Sequence, residues 1–128
     1  MRYKINFIIK VFYEEAIRLH PKYAKAYDNL GAIFDDGTPD GMDKAEQMYK
    51  KAIGINPHHP SPYCNLAGLQ TLQERFPEAV ATLLAVRNYD KYYYSATVKL
   101  AQIMHKREGY QYSFGAEKFI FCCFSGGI

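Results

Sequence analysis

An internal repeat with a period of 36 residues is the feature that most constrains the fold of this 128-residue chain. Residues 12–34 align with residues 48–70 without a gap. The identical positions are Tyr13 and Tyr49, Ala16 and Ala52, Ile17 and Ile53, Pro21 and Pro57, Tyr27 and Tyr63, Asn29 and Asn65, and Leu30 and Leu66. A repeat of about this length is typical of solenoids, in which each unit packs against its neighbours along the chain.

Each repeat unit has the residue spacing of two helices. In the first helix four residues recur at i, i+3, i+4 and i+7 and therefore share one face: Tyr27, Leu30, Gly31 and Phe34. Pro57 ends the second helix, because proline lacks an N–H donor and disfavours a helical residue before it. We expect large residues to fill the space between the helices and small residues to let two backbones approach closely; the large ones are Tyr27, Leu30, Phe34 and Tyr49, and the small ones are Gly31, Ala45 and Ala52. Neither helix can bury its apolar face alone. The pattern therefore predicts an all-α solenoid of about three antiparallel helix pairs.

The positions of large and small residues in these helices resemble the tetratricopeptide repeat. The residues that carry the resemblance in the unit before Pro57 are Tyr27, Leu30, Gly31, Phe34, Ala45, Tyr49 and Ala52. The next unit keeps Tyr63, Leu66, Ala67 and Ala79 but has Leu83, Val86 and Lys91 where tyrosine, alanine and proline are usual. The resemblance covers roughly residues 3–107 and implies a right-handed superhelix. The Sel1-like repeat, to which Gly37, Lys44, Ala45, Tyr49, Lys51 and Ala52 are suited, is the alternative.

The repeat divides the chain into five predicted segments. Residues 1–20 are the second helix of an incomplete repeat, 21–57 and 58–91 are repeats, 92–108 is the first helix of a degenerate repeat, and 109–128 is an irregular apolar tail. We expect part of the first helix to be uncovered at Ile5, Ile8, Ile9 and Phe12. Uncovered apolar surface predicts either a fragment of a longer array or self-association through this helix.

Residues 35–42, DDGTPDGM, alternate carboxylates with other residues as an EF-hand calcium loop does. In that interpretation Asp36, Thr38 and Asp40 are ligands and Gly41 is the turn glycine. The twelfth position then falls on Gln47, where such a loop needs a bidentate glutamate. The sequence therefore predicts no metal site here.

The repeat gives the same segment a simpler role as the connection between paired helices. We expect the connection to run from Asp35 to Gly41, with positive φ angles at Gly37 and Gly41. Asp40 or Asp43 is expected to cap the following helix.

Composition excludes several other functions. A formal net charge of +3 without a basic run does not favour nucleic-acid binding. Three cysteines, two of them adjacent, do not form a disulfide framework, which favours an intracellular and cytoplasmic protein. No apolar stretch is long enough for a membrane span. We find no catalytic constellation, metal-ligand spacing or cofactor motif, and so predict a protein that is not an enzyme.

The tetratricopeptide resemblance implies that first helices line an inner, concave wall that holds a peptide or partner protein. The groove residues predicted on that basis are Lys25, Asp28, Asn29, Ala32 and Asp36, then Ser61, Cys64, Asn65, Gly68 and Leu72, then Ser95, Val98, Lys99, Gln102 and His105. Asn29 and Asn65 are equivalent, and a column of amides can hold a peptide backbone. This pair is similar to the asparagine ladder of O-linked N-acetylglucosamine transferase. The sequence thus predicts a protein-binding scaffold, or alternatively the non-catalytic arm of such a glycosyltransferase.

Chaperone-binding relatives within the tetratricopeptide family hold a C-terminal carboxylate with a clamp of Lys, Asn and Arg. Here Asp28 and Ala32 stand where the first Lys and Asn of the clamp would be useful. We expect Asp28, Asp35 and Asp36 to make this end of the groove acidic and to repel a terminal carboxylate.

Overall fold

The computed structural model describes residues 2–86 and 90–106, and within these ranges the chain forms α-helices joined by short turns. The helices are α1 (Arg2–Leu19), α2 (Ala24–Phe34), α3 (Pro39–Ile55), α4 (Ser61–Leu72), α5 (Phe76–Ala85) and α6 (Asp90–Lys106). Each helix packs against the next, and in addition α2 contacts α4 and α4 contacts α6. Contacts between alternate helices arise when helix pairs stack in one direction. The predicted all-α solenoid is therefore confirmed, and the predicted tail 109–128 lies outside the described residues.

The pair formed by α2 and α3 packs a large residue against a glycine. Tyr49 of α3 is fully buried against Gly31 of α2. A Cβ atom added to Gly31 would lie 2.6 Å from Cε1 of Tyr49, a distance that real Cβ contacts do not reach. Burial raises the pKa of the Tyr49 phenol. The nesting of small and large residues predicted for this pair is thus confirmed.

The pair formed by α4 and α5 has a continuous apolar core. Leu83 and Val86, which replace the usual tyrosine and alanine, are both fully buried. Ile53 of α3 packs against this core and also against the core of the preceding pair, so it joins the two. The buried members of the second core are Tyr63, Ala67, Phe76, Ala79, Leu83, Val86, Ala96 and Ile103.

The turn before each first helix is fixed by the same hydrogen bond in two consecutive units. The Tyr27 hydroxyl donates to the Pro21 carbonyl oxygen at 3.1 Å, and the Tyr63 hydroxyl donates to the Pro57 carbonyl oxygen at 3.0 Å. Both bonds link residues six apart, and the two bonds are themselves 36 residues apart. The repeated tyrosine and proline therefore act together, each pair tying a helix to the turn that precedes it.

The connection between α2 and α3 is shorter than predicted, because α3 begins at Pro39. Thr38 is the N-cap, and its hydroxyl oxygen accepts from the Gly41 N–H at 3.1 Å. The expectation that Asp40 or Asp43 caps the helix is wrong. Thr38 takes this role because Asp36 holds it, accepting from the Thr38 N–H at 2.9 Å and from its hydroxyl at 2.6 Å.

The two glycines of this connection have different roles. Gly37 adopts a φ of +84°, as expected of a turn glycine. Gly41 has no positive φ and lies in the first turn of α3, so the expectation for it is wrong. A Cβ atom on Gly41 would lie 2.5 Å from the Phe34 carbonyl oxygen, so glycine is required there for close packing.

An ion-pair network joins α3 to the start of α5. The Arg75 guanidinium donates to both carboxylate oxygens of Glu46, at 2.8 and 3.1 Å, and also contacts Glu78. These hydrogen bonds lower the pKa of Glu46 to about 2. Bidentate geometry of this kind fixes orientation as well as adding energy, so it ties the residue that precedes α5 to α3.

Helix α1 packs on α2, and its half-buried apolar residues Tyr13, Ala16 and Ile17 lie in its C-terminal half. Lys10 lies with its ammonium 5.0 Å from the centre of the Phe34 ring. From residue 4 to residue 9 every side chain is exposed. The structure leaves uncovered all four apolar residues for which the sequence predicts exposure, Ile5, Ile8, Ile9 and Phe12.

Candidate functional site

The first helices α2 and α4 are joined by a polar network centred on Asp28. Asp28 is only 3% exposed. It accepts from the Ser61 hydroxyl at 2.6 Å and from the Asn65 amide nitrogen at 2.9 Å. Nε2 of His59 lies 3.9 Å from the same side chain. A buried carboxyl group needs such donors, and α4 and the turn before it supply all of them.

This network corrects two expectations about the inner wall. Asp28 does not face the groove, because Ser61 and Asn65 hold it between the two helices. Asp35 is half-buried and Asp36 is engaged with Thr38. The carboxylate of Asp28, which was expected to repel a C-terminal carboxylate from the groove, is therefore buried among donors instead.

The two equivalent asparagines have different surroundings. Asn65 donates to Asp28 and is thereby tied to the neighbouring helix. Asn29 is half-buried, and its side chain makes no hydrogen bond to any residue in the described part of the chain. The pair thus does not form a uniform column of free amides. The remaining residues predicted on α2 and the following loop, Lys25, Ala32 and Asp36, are exposed.

Residues predicted for the later units come together in a cleft between α4 and α6, which has a volume of about 210 Å³. Gly68 and Leu72 lie on the α4 side, and Lys99 and Gln102 lie on the α6 side. All four belong to the predicted groove. The complete lining is Ala67, Gly68, Thr71, Leu72, Leu83, Lys99, Gln102 and Ile103.

The floor of the cleft is apolar and its rim is partly polar. Ala67, Leu83 and Ile103 are buried core residues that form the floor. Leu72 is 58% exposed and lies beside the open cleft. A Cβ atom on Gly68 would meet nothing within 4 Å, so the glycine opens the cleft.

Four residues of the lining were not predicted as groove residues. Ala67 and Leu83 are named in the sequence only as positions of the tetratricopeptide pattern, and both lie in the core. Thr71 and Ile103 are not singled out by the sequence. The Thr71 hydroxyl donates to the Ala67 carbonyl oxygen at 2.7 Å, which keeps it within its own helix. Residue 71 lies one turn from Gly68, so helical spacing from a predicted groove residue was a signal that could have found it.

The α4/α6 contact differs electrostatically from the α2/α4 contact. Cys64 stands at the position equivalent to Asp28, and burial raises the pKa of its thiol, with Lys99 acting in the opposite direction. Lys99 has no ion-pair partner among the described residues. A thiol with a raised pKa is a poor nucleophile, because little of it is present as the thiolate. In residues 2–86 and 90–106 no group of three His, Cys, Asp or Glu side chains is placed to hold a metal ion.

Comparison with protein families adds a match between residues 42–104 and a family model described as "Tetratricopeptide repeat". Residues 42–104 are tetratricopeptide repeats. The matched tetratricopeptide segment includes α4, α5 and every residue that lines the cleft. Tetratricopeptide repeats typically mediate protein–protein interactions and are typically non-catalytic.

The tetratricopeptide assignment agrees with the main prediction from the sequence, whereas the Sel1-like alternative stays unconfirmed. No curated protein matches the chain. Within the described ranges, no helix has both the length and the apolar character that crossing a membrane requires.

Proposed function

We propose that the chain is a non-catalytic interaction scaffold that binds an extended peptide, or an extended segment of a partner protein, on the surface formed by α2, α4 and α6. The cleft between α4 and α6 is the observation that supports this most. It offers an apolar floor, an exposed leucine and polar side chains at one rim. Peptide grooves combine these features, because an apolar anchor supplies affinity and a few polar groups fix its direction.

The volume of the cleft suits one anchor side chain of the ligand. A cleft of about 210 Å³ is smaller than a site for a cofactor or a drug-sized molecule, which measures roughly 300–1,000 Å³. It has room for a leucine-sized or phenylalanine-sized group. The rest of an extended ligand would then run along the inner wall toward α2.

Polar side chains along that wall would hold the ligand backbone. Gln102 is exposed and offers both donors and an acceptor. Lys99 can donate to a peptide carbonyl or carboxylate oxygen. Asn65 keeps its amide oxygen available for a peptide N–H, since only its nitrogen is used by Asp28. In this proposal Asn29 and the exposed residues Lys25, Ala32 and Asp36 receive the far end of the ligand.

The alternative function, an arm that presents peptides to a glycosyltransferase, depends on an asparagine ladder. Asn65 is committed in part to Asp28, and Lys99 occupies the next equivalent position. The ladder is therefore incomplete in this chain. The scaffold is the function that we put forward.

Two helix glycines provide a matched test. Gly68 lines the cleft, whereas Gly54 lies near the end of α3, and a Cβ atom on either would meet nothing within 4 Å. Gly68→Tyr should fill the cleft, and Gly54→Tyr should make the same chemical change away from it. The probe is a peptide selected on the full chain from a random display library.

Affinity for the selected peptide, measured by isothermal titration calorimetry, should fall at least roughly tenfold in Gly68→Tyr and stay within about twofold in Gly54→Tyr. Equal affinity in both variants would place the ligand elsewhere. Failure of the library to yield any binding peptide would contradict the proposal itself.

A further inference from the structure

Helix α1 carries an apolar stripe that no described part of the chain covers. Its members recur at i, i+3, i+4 and i+7 and are all exposed: Ile5, Ile8, Ile9 and Phe12. The apolar residues of α1 that are half-buried, Tyr13, Ala16 and Ile17, all lie C-terminal to the stripe. Contiguous apolar patches of this kind usually mark an interaction site.

From this stripe and the charges beside it, we infer that two copies of the chain associate through an antiparallel pairing of α1 with α1. The stripe is self-complementary in this arrangement. When a two-fold axis passes between Ile8 and Ile9, Ile5 of one copy comes opposite Phe12 of the second copy. Each phenylalanine then lies at one end of the contact opposite an isoleucine, isoleucines pair in the middle, and the interface is isologous.

The charges flanking the stripe favour the antiparallel direction. Lys4 and Glu15 lie on the same edge of the stripe, because eleven residues complete close to three helical turns. An antiparallel two-fold pairing brings residues on the same edge together. Lys4 of each copy then lies within about 3 Å, measured along the helix, of the level of Glu15 of the other copy, an offset that two long side chains can span. Lys4 has no ion-pair partner among the described residues, whereas Glu15 is bonded to Arg18 of its own helix.

Residues on the other side of α1 supply a control. Phe7 is 65% exposed and Phe12 is 70% exposed, so the same substitution meets nearly the same environment at both. The two side chains lie about 140° apart around the helix. Only Phe12 belongs to the proposed interface. Neither position is buried, so Phe12→Glu and Phe7→Glu should both leave the fold intact, as circular dichroism would check.

Sedimentation equilibrium of the full chain over a wide concentration range is the experiment that decides. The unsubstituted chain should dimerise. Phe12→Glu should raise the dissociation constant of the dimer roughly a hundredfold or more, and Phe7→Glu should change that constant less than about threefold. A chain that stays monomeric at every concentration overturns the inference. So does equal weakening by both substitutions.

Charge reversal tests the direction of pairing. Lys4→Glu and Glu15→Lys should each weaken the dimer by roughly two- to fivefold, a modest amount because the pairs are exposed and Arg18 competes for Glu15. The double variant Lys4→Glu/Glu15→Lys should restore the dissociation constant of the unsubstituted dimer, because each new pair again has opposite charges. Additive weakening in the double variant would overturn the antiparallel arrangement. Binding of the selected peptide should not change in Phe12→Glu, so this test is independent of the proposed function.

Discussion

The helix pairs α2–α3 and α4–α5 solve the same packing problem with different residues. In the first pair a glycine, Gly31, faces a tyrosine, Tyr49. In the second pair an alanine, Ala67, belongs to the same core as a leucine, Leu83. Each pair combines one smaller and one larger residue. Tyr49 is larger than Leu83, and its partner Gly31 is correspondingly smaller than Ala67.

The difference indicates that the residues on the two helices of a pair must fit each other, so neither position can be considered alone. Protein interiors are packed close to the density of crystals, so a methyl group added on one helix must be removed from the other. The glycine of the first pair is therefore required by Tyr49 and by no feature of its own backbone. Substitutions in the first pair test this interpretation.

The largest expected effect is that of Gly31→Ala. The new methyl group would lie 2.6 Å from Cε1 of the fully buried Tyr49 ring, which cannot move without disturbing the core. We expect the free energy of unfolding to fall by about 2–3 kcal/mol, since overpacking outweighs the better helix propensity of alanine. Urea denaturation followed by far-UV circular dichroism measures the change.

The double variant Gly31→Ala/Tyr49→Leu gives the first pair the alanine and leucine that the second pair has at the equivalent positions. It should recover at least half of the stability lost in Gly31→Ala, because leucine leaves room for the methyl group. If the double variant is less stable than Gly31→Ala, the facing-pair interpretation is wrong.

The contacts between successive first helices also differ, and this difference was not predictable from the repeat. At the α2/α4 contact Asp28 is buried and accepts hydrogen bonds from Ser61 and Asn65. At the α4/α6 contact the equivalent of Asp28 is Cys64, and the equivalent of Asn65 is Lys99. The first contact satisfies its polar groups internally, whereas the second leaves a cation at the rim of the cleft.

The second expected effect concerns that polar contact. Asp28→Ala should lower the free energy of unfolding by about 1–2 kcal/mol, because Ser61 and Asn65 lose their shared acceptor while they stay half-buried. Asn29→Ala, a change at the neighbouring residue that makes no hydrogen bond in the described part of the chain, should cost less than about 0.5 kcal/mol. The same urea denaturation compares them. Equal losses would mean that the network adds nothing to the contact between α2 and α4.

The repeat predicted the helices, the buried tyrosines and the nesting of Gly31 against Tyr49, since each of these follows from spacing within one unit. It did not predict the burial of Asp28, because that depends on which side chains of the next unit reach back to it. The cap at Thr38 was missed for a related reason. A threonine before a proline competes with two nearby aspartates for this role, and the Asp36 hydrogen bonds that decide between them are visible only in three dimensions.

The smallest expected effect sharpens the comparison at a position where the two first helices differ by a single methyl group. Ala32 of α2 and Gly68 of α4 are equivalent and both exposed, and a Cβ atom on Gly68 would meet nothing within 4 Å. Gly68→Ala should therefore raise the free energy of unfolding by about 0.5–1 kcal/mol, because alanine restricts the unfolded chain and favours the helix. Gly31→Ala and Gly68→Ala make the same chemical change at neighbouring positions of the two equivalent first helices, and we expect opposite signs for them in urea denaturation. A loss of stability in Gly68→Ala would show that the cleft is closed around this glycine and that the open space beside α4 does not exist in solution.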